Sequence, residues 1–254
     1  GSWTSDSTDI YQEGIQYPCV KLYDGGKPNR SIIEVIKYNS RMPDFVLGDM
    51  YAQVASLRVA GRRVNRLVEK YGLDTVLYAM DKLLEDGEKY ARLKMMDIPK
   101  GTFKAEDWID DDGITDDPIP VKVEVKITDD EFLVDFTGTG KQAAGSINSA
   151  YPSTVSGVRE TYMAMIDPYT QPNGGFFAPL KIIAPKGTVF NPQSPAPTST
   201  FWEGMSHAAD IVWKALAPHS PERLSAGHFL SIEATILGGM DDRIGVPFAI
   251  VEPQ

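Results

Sequence analysis

The chain has 254 residues, 42% of them hydrophobic and 24% charged, with a formal charge of −10 from 25 basic and 35 acidic side chains. This is a globular composition, long enough to bury a sizeable core; it lacks the basic footprint of a duplex-binding protein and any run of about 18 apolar residues that would span a bilayer. Residues 1–14 do not read as a signal peptide, and the single Cys19 cannot form an internal disulfide, so a reducing, cytoplasmic setting is expected.

Residues 1–42 form a turn-rich segment marked by Gly14, Pro18, Gly25, Gly26 and Pro28, with a short helix predicted over Ser31–Asn39. A long helix follows Pro43. Val46, Met50, Val54, Leu57, Gly61, Val64, Val68 and Tyr71 recur in steps of three and four along one face. Gly72 stops that helix, and Asp74 is placed to cap a second one, striped by Val76, Met80, Leu83, Gly87 and Tyr90 and ending before Pro99. Residues 43–99 are therefore expected to be an antiparallel helical hairpin, with Gly61 and Gly87 allowing close approach.

From residue 100 the period changes to two. Val121, Val123, Val125 and Ile127 alternate with Lys122, Glu124 and Lys126, and Phe132, Val134 and Phe136 alternate with Leu133 and Asp135. That pattern predicts a β-hairpin with one buried face, joined by a third strand over Gly101–Trp108. Beyond it the sequence predicts a helix near Ser153–Ile166, a strand at Leu180–Ile183, a helix near Ser206–Leu216 and a strand at Pro247–Val251. The fold class is α+β: mixed sheet regions with a long helical hairpin, as part of a larger multi-domain subunit.

Few motifs carry chemistry. Asp110, Asp111, Asp112, Asp116 and Asp117 lack the alternate spacing, the sixth-position Gly and the twelfth-position Glu of a calcium loop, and read as a turn. The stretch GTGKQAAG at 138–145 follows a strand but has Gln142 where a phosphate loop needs Ser or Thr, so nucleotide binding is not expected there. His207, His219 and His228 are too scattered for a closed metal site. His207 and Asp210 share a helical face as an ordinary surface pair. His228, beside Phe229, reads equally as a core histidine or a site residue. Glu203 follows Phe201–Trp202 at a helix start. There it is either a desolvated acid–base group or a carboxylate favoured by the helix dipole. Arg58, Arg62, Arg63 and Arg66 spread around one helix and read as a solvated or subunit-facing surface.

Six stretches together resemble the hydantoinase B/oxoprolinase family. They are DIYQEGIQYPCVKLYDGGK (9–27), GDMYAQVASLRVAGRRVNRLVEKYG (48–72), IPKGTFKAEDWIDDDGI (98–114), VDFTGTGKQAAGSINS (134–149), KIIAPKGTVFNP (181–192) and KALAPHSPERLSAGHF (214–229). The resemblance implies a longer, non-ATP-binding catalytic subunit of a complex that activates a carbonyl with ATP and opens a cyclic amide, or carboxylates a ketone. It implies ATP and Mg on a hydantoinase A-type partner subunit, and a divalent metal, zinc or manganese, bound by His and Asp motifs upstream of Gly1, with this chain truncated at both ends. Asn148 in GSINS, Glu203 in FWEG and His228 are the catalytic candidates it leaves here. FWEG departs from the Asn-x-Glu-Thr-Ser type of segment usual in hydantoinase members, which brings ketone carboxylation into consideration. A purely structural assembly subunit is the reading of a different class.

Overall fold

The computed structural model describes residues 4–227, 230–231 and 234–253. It divides into two compact units: residues 15–86 form one, and residues 1–14 with 87–254 form the other.

The smaller unit opens with a tight ribbon of β1 (Tyr23–Asp24) and β2 (Lys27–Pro28), turned by Gly25 and Gly26 at positive φ. Helix α1 (Arg30–Tyr38) packs on helix α2 (Pro43–Tyr71). Pro43 suits the first turn of α2, where its missing N–H leaves nothing unpaired. Gly72, with φ 82 and ψ 150, ends α2, and α3 (Leu73–Met95) begins at the next residue. The predicted hairpin does not close. Its link is one residue, whereas antiparallel helices need a loop of about two to five. The stripes accordingly stay uncovered: Val64 is 50% exposed and Leu83 is 64% exposed. Gly61 has no neighbour, and Gly87, in the larger unit, lies against the side chain of Asn173 instead.

In the larger unit the period-two pattern is realised residue for residue. Strands β3 (Gly101–Ile109), β4 (Ile119–Ile127) and β5 (Phe132–Asp135) pair antiparallel, and β6 (Leu180–Ile183) adds parallel to β5. The parallel step needs a crossover, and α4 (Tyr151–Ile166) lies within it. Val121, Val123, Val125, Ile127, Phe132, Val134 and Phe136 all point into one core. Each such side chain contributes roughly 1.5–3 kcal/mol by leaving water. The outer face carries cross-strand pairs that fix the register: Lys104 meets Glu124 at 2.7 Å, and Lys122 meets Glu106 at 2.9 Å.

Helix α5 (Phe201–Leu216) packs on α4, β3 and β4. It begins five residues before the predicted start, which places Glu203 inside its first turn. Its buried face, Gly204, Ala208, Ile211, Val212, Ala215 and Leu216, follows helical spacing. The α4–α5 crossing is close at Gly157, where a Cβ would fall 2.6 Å from the Met205 carbonyl oxygen. A two-stranded ribbon, β7 (Ala234–Asp241) and β8 (Val246–Pro253), ends the described structure. The sequence reading has β8 and lacks β7.

Candidate functional site

The polar chemistry of the larger unit gathers on α5. Glu203, His207, Asp210 and Lys214 recur at steps of four, three and four, so they line one face beside the buried stripe. The first three are half-buried. His207 Nδ1 lies 2.8 Å from the Glu203 carbonyl oxygen. A carbonyl can only accept, so Nδ1 carries the proton, and in the neutral ring the lone pair resides on Nε2.

The strand edge supplies a fifth group. Lys214 Nζ donates to Asp107 Oδ2 at 2.6 Å and to the Glu106 carbonyl at 3.1 Å. Burial pushes the Asp107 carboxyl up, but the Lys214 hydrogen bond, the Trp108 N–H and the charges of Lys214 and His207 outweigh it, holding Asp107 below the usual carboxylate range. The cover is the segment after α5. Trp213 Nε1 donates to the Ser225 carbonyl at 2.7 Å, and Ser231 Oγ donates to Glu203 Oε1 at 2.9 Å. Gly227 runs so close to Asp210 that a Cβ would meet its carboxylate at 2.8 Å. Between α5 and this segment lies a cleft of about 380 Å³ walled by Asp210, Trp213, Lys214, Ser225 and Gly227. A larger groove of about 460 Å³, in the residue 15–86 unit, is walled by Leu22, Met50, Val54 and Leu57, with Tyr23 and Arg58. Its lining contains no carboxylate and no histidine.

Beneath the first turn of α5 lies Asn148. It is fully buried, accepts the Ala143 N–H at 2.7 Å, and donates from Nδ2 to the carbonyls of Ala143, Gly145 and Pro197 at 3.0–3.1 Å. Its polar capacity is spent on backbone, so it clamps the 143–149 loop. That loop in turn seats α5: Gly204 N–H donates to the Ile147 carbonyl at 3.1 Å, and Thr200 N–H to the Ser146 carbonyl at 3.2 Å. Asn148 thus positions Glu203 through the loop. His228 lies outside the described residues.

Two further carboxylates, Asp112, which the sequence reading places in a turn, and Glu13, hold the surrounding loops. Asp112, in the acidic turn, accepts the N–H groups of Ala144 and Gly145 at 2.8 and 3.0 Å on Oδ2, and those of Ile114 and Thr115 at 3.0 and 2.7 Å on Oδ1. The amides of the glycine-rich 138–145 stretch therefore already serve an internal anion, which is the physical reason this is not a phosphate loop. Glu13 does the same for residues 198 and 199, accepting both N–H groups on Oε1 at 2.7 and 2.8 Å. Neither was separable by spacing from a surface turn acid. Among the described residues no three His, Cys, Asp or Glu side chains converge as a metal set.

Comparison with known proteins gives this geometry a setting. The hydantoinase B/oxoprolinase family model matches residues 1–254. A protein from Pseudomonas sp. (strain NS671), named for the B component of a D-/L-hydantoinase, is 37% identical over 233 residues, covering 87% of this chain and 39% of that one. The beta component of the caprolactamase of Pseudomonas jessenii is 29% identical over 245 residues, covering 95% and 42%. The crystal structure of the ATP-dependent caprolactamase from that organism superposes with a TM-score of 0.81 at 26% identity, over 96% of this chain and 42% of that one. An acetone carboxylase in its nucleotide-free form gives 0.82 at 19% identity, over 96% and 34%, a likeness of fold alone. The chain spans about two fifths of the length of the hydantoinase and caprolactamase relatives. It is α+β and shares its fold with parts of larger multi-domain enzymes. This chain belongs to the hydantoinase B/oxoprolinase family.

Proposed function

We propose that the chain is part of the non-ATP-binding catalytic subunit of a cytoplasmic, ATP-dependent complex that opens a cyclic amide. Its partner is a hydantoinase A-type subunit that binds ATP and Mg. The observation that carries this reading is the agreement of sequence and fold over nearly the whole chain with relatives named for hydantoin and caprolactam chemistry. The α5 face supports it from below. Ring opening of an activated amide requires a group to take a proton from water and one to return it to the leaving nitrogen. Glu203 and the lone-pair nitrogen of His207 are the proposed pair, one helical turn apart. Asp107 and Lys214 hold the neighbouring charge, and Ser231 hydrogen-bonds Glu203 from the segment after α5.

The test is co-expression of the full-length subunit with its ATP-binding partner, followed by product analysis with a hydantoin, 5-oxoproline and a lactam, each with and without ATP. ATP-dependent ring opening of at least one is the expected result. Bicarbonate-dependent carboxylation of a ketone in place of ring opening would replace this reading with ketone carboxylation. A complex inert toward both classes would favour a purely structural assembly subunit.

A further inference from the structure

The cleft between α5 and the segment after it is small and mixed in chemistry. Its volume of about 380 Å³ lies at the lower end of small-molecule pockets, which run from about 300 to 1,000 Å³. Trp213 gives it an aromatic wall, held in place by the indole N–H on the Ser225 carbonyl. The segment after α5 contributes only small residues, Ser225, Ala226 and Gly227. Two charged side chains, Asp210 and Lys214, line the same space.

These two groups offer opposite hydrogen-bonding capacities side by side. They stand at i and i+4 on α5, so their Cβ atoms lie about 5–6 Å apart on one face. Asp210 is an acceptor at two oxygens, and its room depends on Gly227, where a Cβ would fall 2.8 Å from Oδ1. Lys214 is a donor. Among the described residues two of its three N–H groups are spent, on Asp107 Oδ2 and the Glu106 carbonyl. An acceptor beside a donor matches a small-ring amide. The ring holds that amide cis, so its N–H and its carbonyl oxygen leave from the same edge, whereas a trans amide presents them on opposite edges. A ketone presents the carbonyl alone and leaves the Asp210 carboxylate facing carbon.

We propose that this cleft seats the ring of a secondary cyclic amide against Trp213, with the amide N–H on Asp210 and the carbonyl on Lys214. The inference rests on the ring-opening reading above and adds the residues that tell its substrate from a ketone. A ring held there lies about one helical turn from His207, one of the proposed proton carriers.

The experiment is ligand binding by saturation-transfer NMR on the full-length subunit with its ATP-binding partner, without ATP, so that recognition is read apart from ring opening. The probes are 2-piperidone, N-methyl-2-piperidone and cyclohexanone, rings of one size of which the last two lack the N–H. 2-Piperidone should bind roughly 10- to 100-fold more tightly than either, the weight of one hydrogen bond to a charged group. Asp210→Ala should bring all the probes to a common affinity. Gly227→Ala, which crowds the same carboxylate from outside α5, should do the same, with circular dichroism of each variant matching the parent. Equal binding of the probes by the parent protein overturns the proposal, as does a preference for 2-piperidone that survives Asp210→Ala, or no binding of 2-piperidone at all. The ring-opening reading fails separately: product analysis with ATP would then show no ring opening, whatever the ranking of the probes.

Discussion

At the scale of single residues, the site is organised by carboxylates with different duties. Asp112 is 3% exposed, and burial alone would raise its carboxyl; the N–H groups of Thr115, Gly145 and Ile114, with the Thr115 hydroxyl, outweigh that and hold it below the ordinary range. A carboxyl depressed in the folded state adds stability that is fully present above its unfolded value of about 3.9 and is lost as pH falls through the folded one. Asp112→Asn should therefore lower the thermal midpoint at neutral pH and flatten its decline below about pH 4. Parallel midpoint curves for the two proteins across the acid range would remove Asp112 from the acid response. Glu203 is tested differently, because its partners are Ser231 and the site. Glu203→Gln keeps the shape of the side chain, so the midpoint should hold while turnover of the assembled complex falls by roughly 10²–10⁴. A helix-start carboxylate of local value would show the reverse: turnover intact and about 0.3–1 kcal/mol of stability lost, the discount for solvent exposure included. Asn148 was legible as a polar residue in a Gly- and Ser-rich loop, but not as a clamp. Its partners are backbone atoms as far away as Pro197, which sequence spacing does not reveal.

At the scale of elements, period was a reliable guide and closure was not. The alternation at 121–136 specifies the sheet because each buried residue meets a core that the same alternation builds. The stripes on α2 and α3 are as regular, yet periodicity reports only that a face is to be covered. What covers it depends on the link, and Gly72 alone cannot reverse the chain. The early start of α5 was hidden for a related reason: Phe201, Trp202 and Gly204 are weak helix formers whose placement is dictated by tertiary contact. Gly204 is held there by its close approach, where a Cβ would meet the Ile147 carbonyl at 2.6 Å. The same geometry makes a prediction at the α4–α5 crossing. In a free helix Gly157→Ala would gain about 0.8–1 kcal/mol in propensity. Against Met205 the added methyl forces the helices apart, which costs typically about 1–3 kcal/mol. The second effect wins, so the variant should be destabilised in urea denaturation. A gain in stability would mean that the crossing relaxes without cost.

At the scale of the whole molecule, the two units differ in what holds them. The larger has a continuous core in which Val125 is fully buried. The smaller exposes long apolar seams, and its α2 has no buried residue. Exposed apolar faces of this extent mark association surfaces, and the chain spans only 42% of the caprolactamase relative's length. The contrast can be read from one chemical change made twice. Val125→Asp puts an unpaired charge into a site without water, at a cost above about 4 kcal/mol, the exceptional end for single substitutions. Since domains retain only about 5–15 kcal/mol of net stability, that variant should be largely unfolded at ordinary temperature. Val64→Asp places the same carboxylate at a position half open to solvent, where substitutions usually shift stability by no more than about 0.5 kcal/mol. Its thermal midpoint should match the parent's. Differential scanning fluorimetry gives both numbers. Equal losses for Val64→Asp and Val125→Asp would mean that α2 belongs to the chain's own core, and the uncovered seam would have to be abandoned.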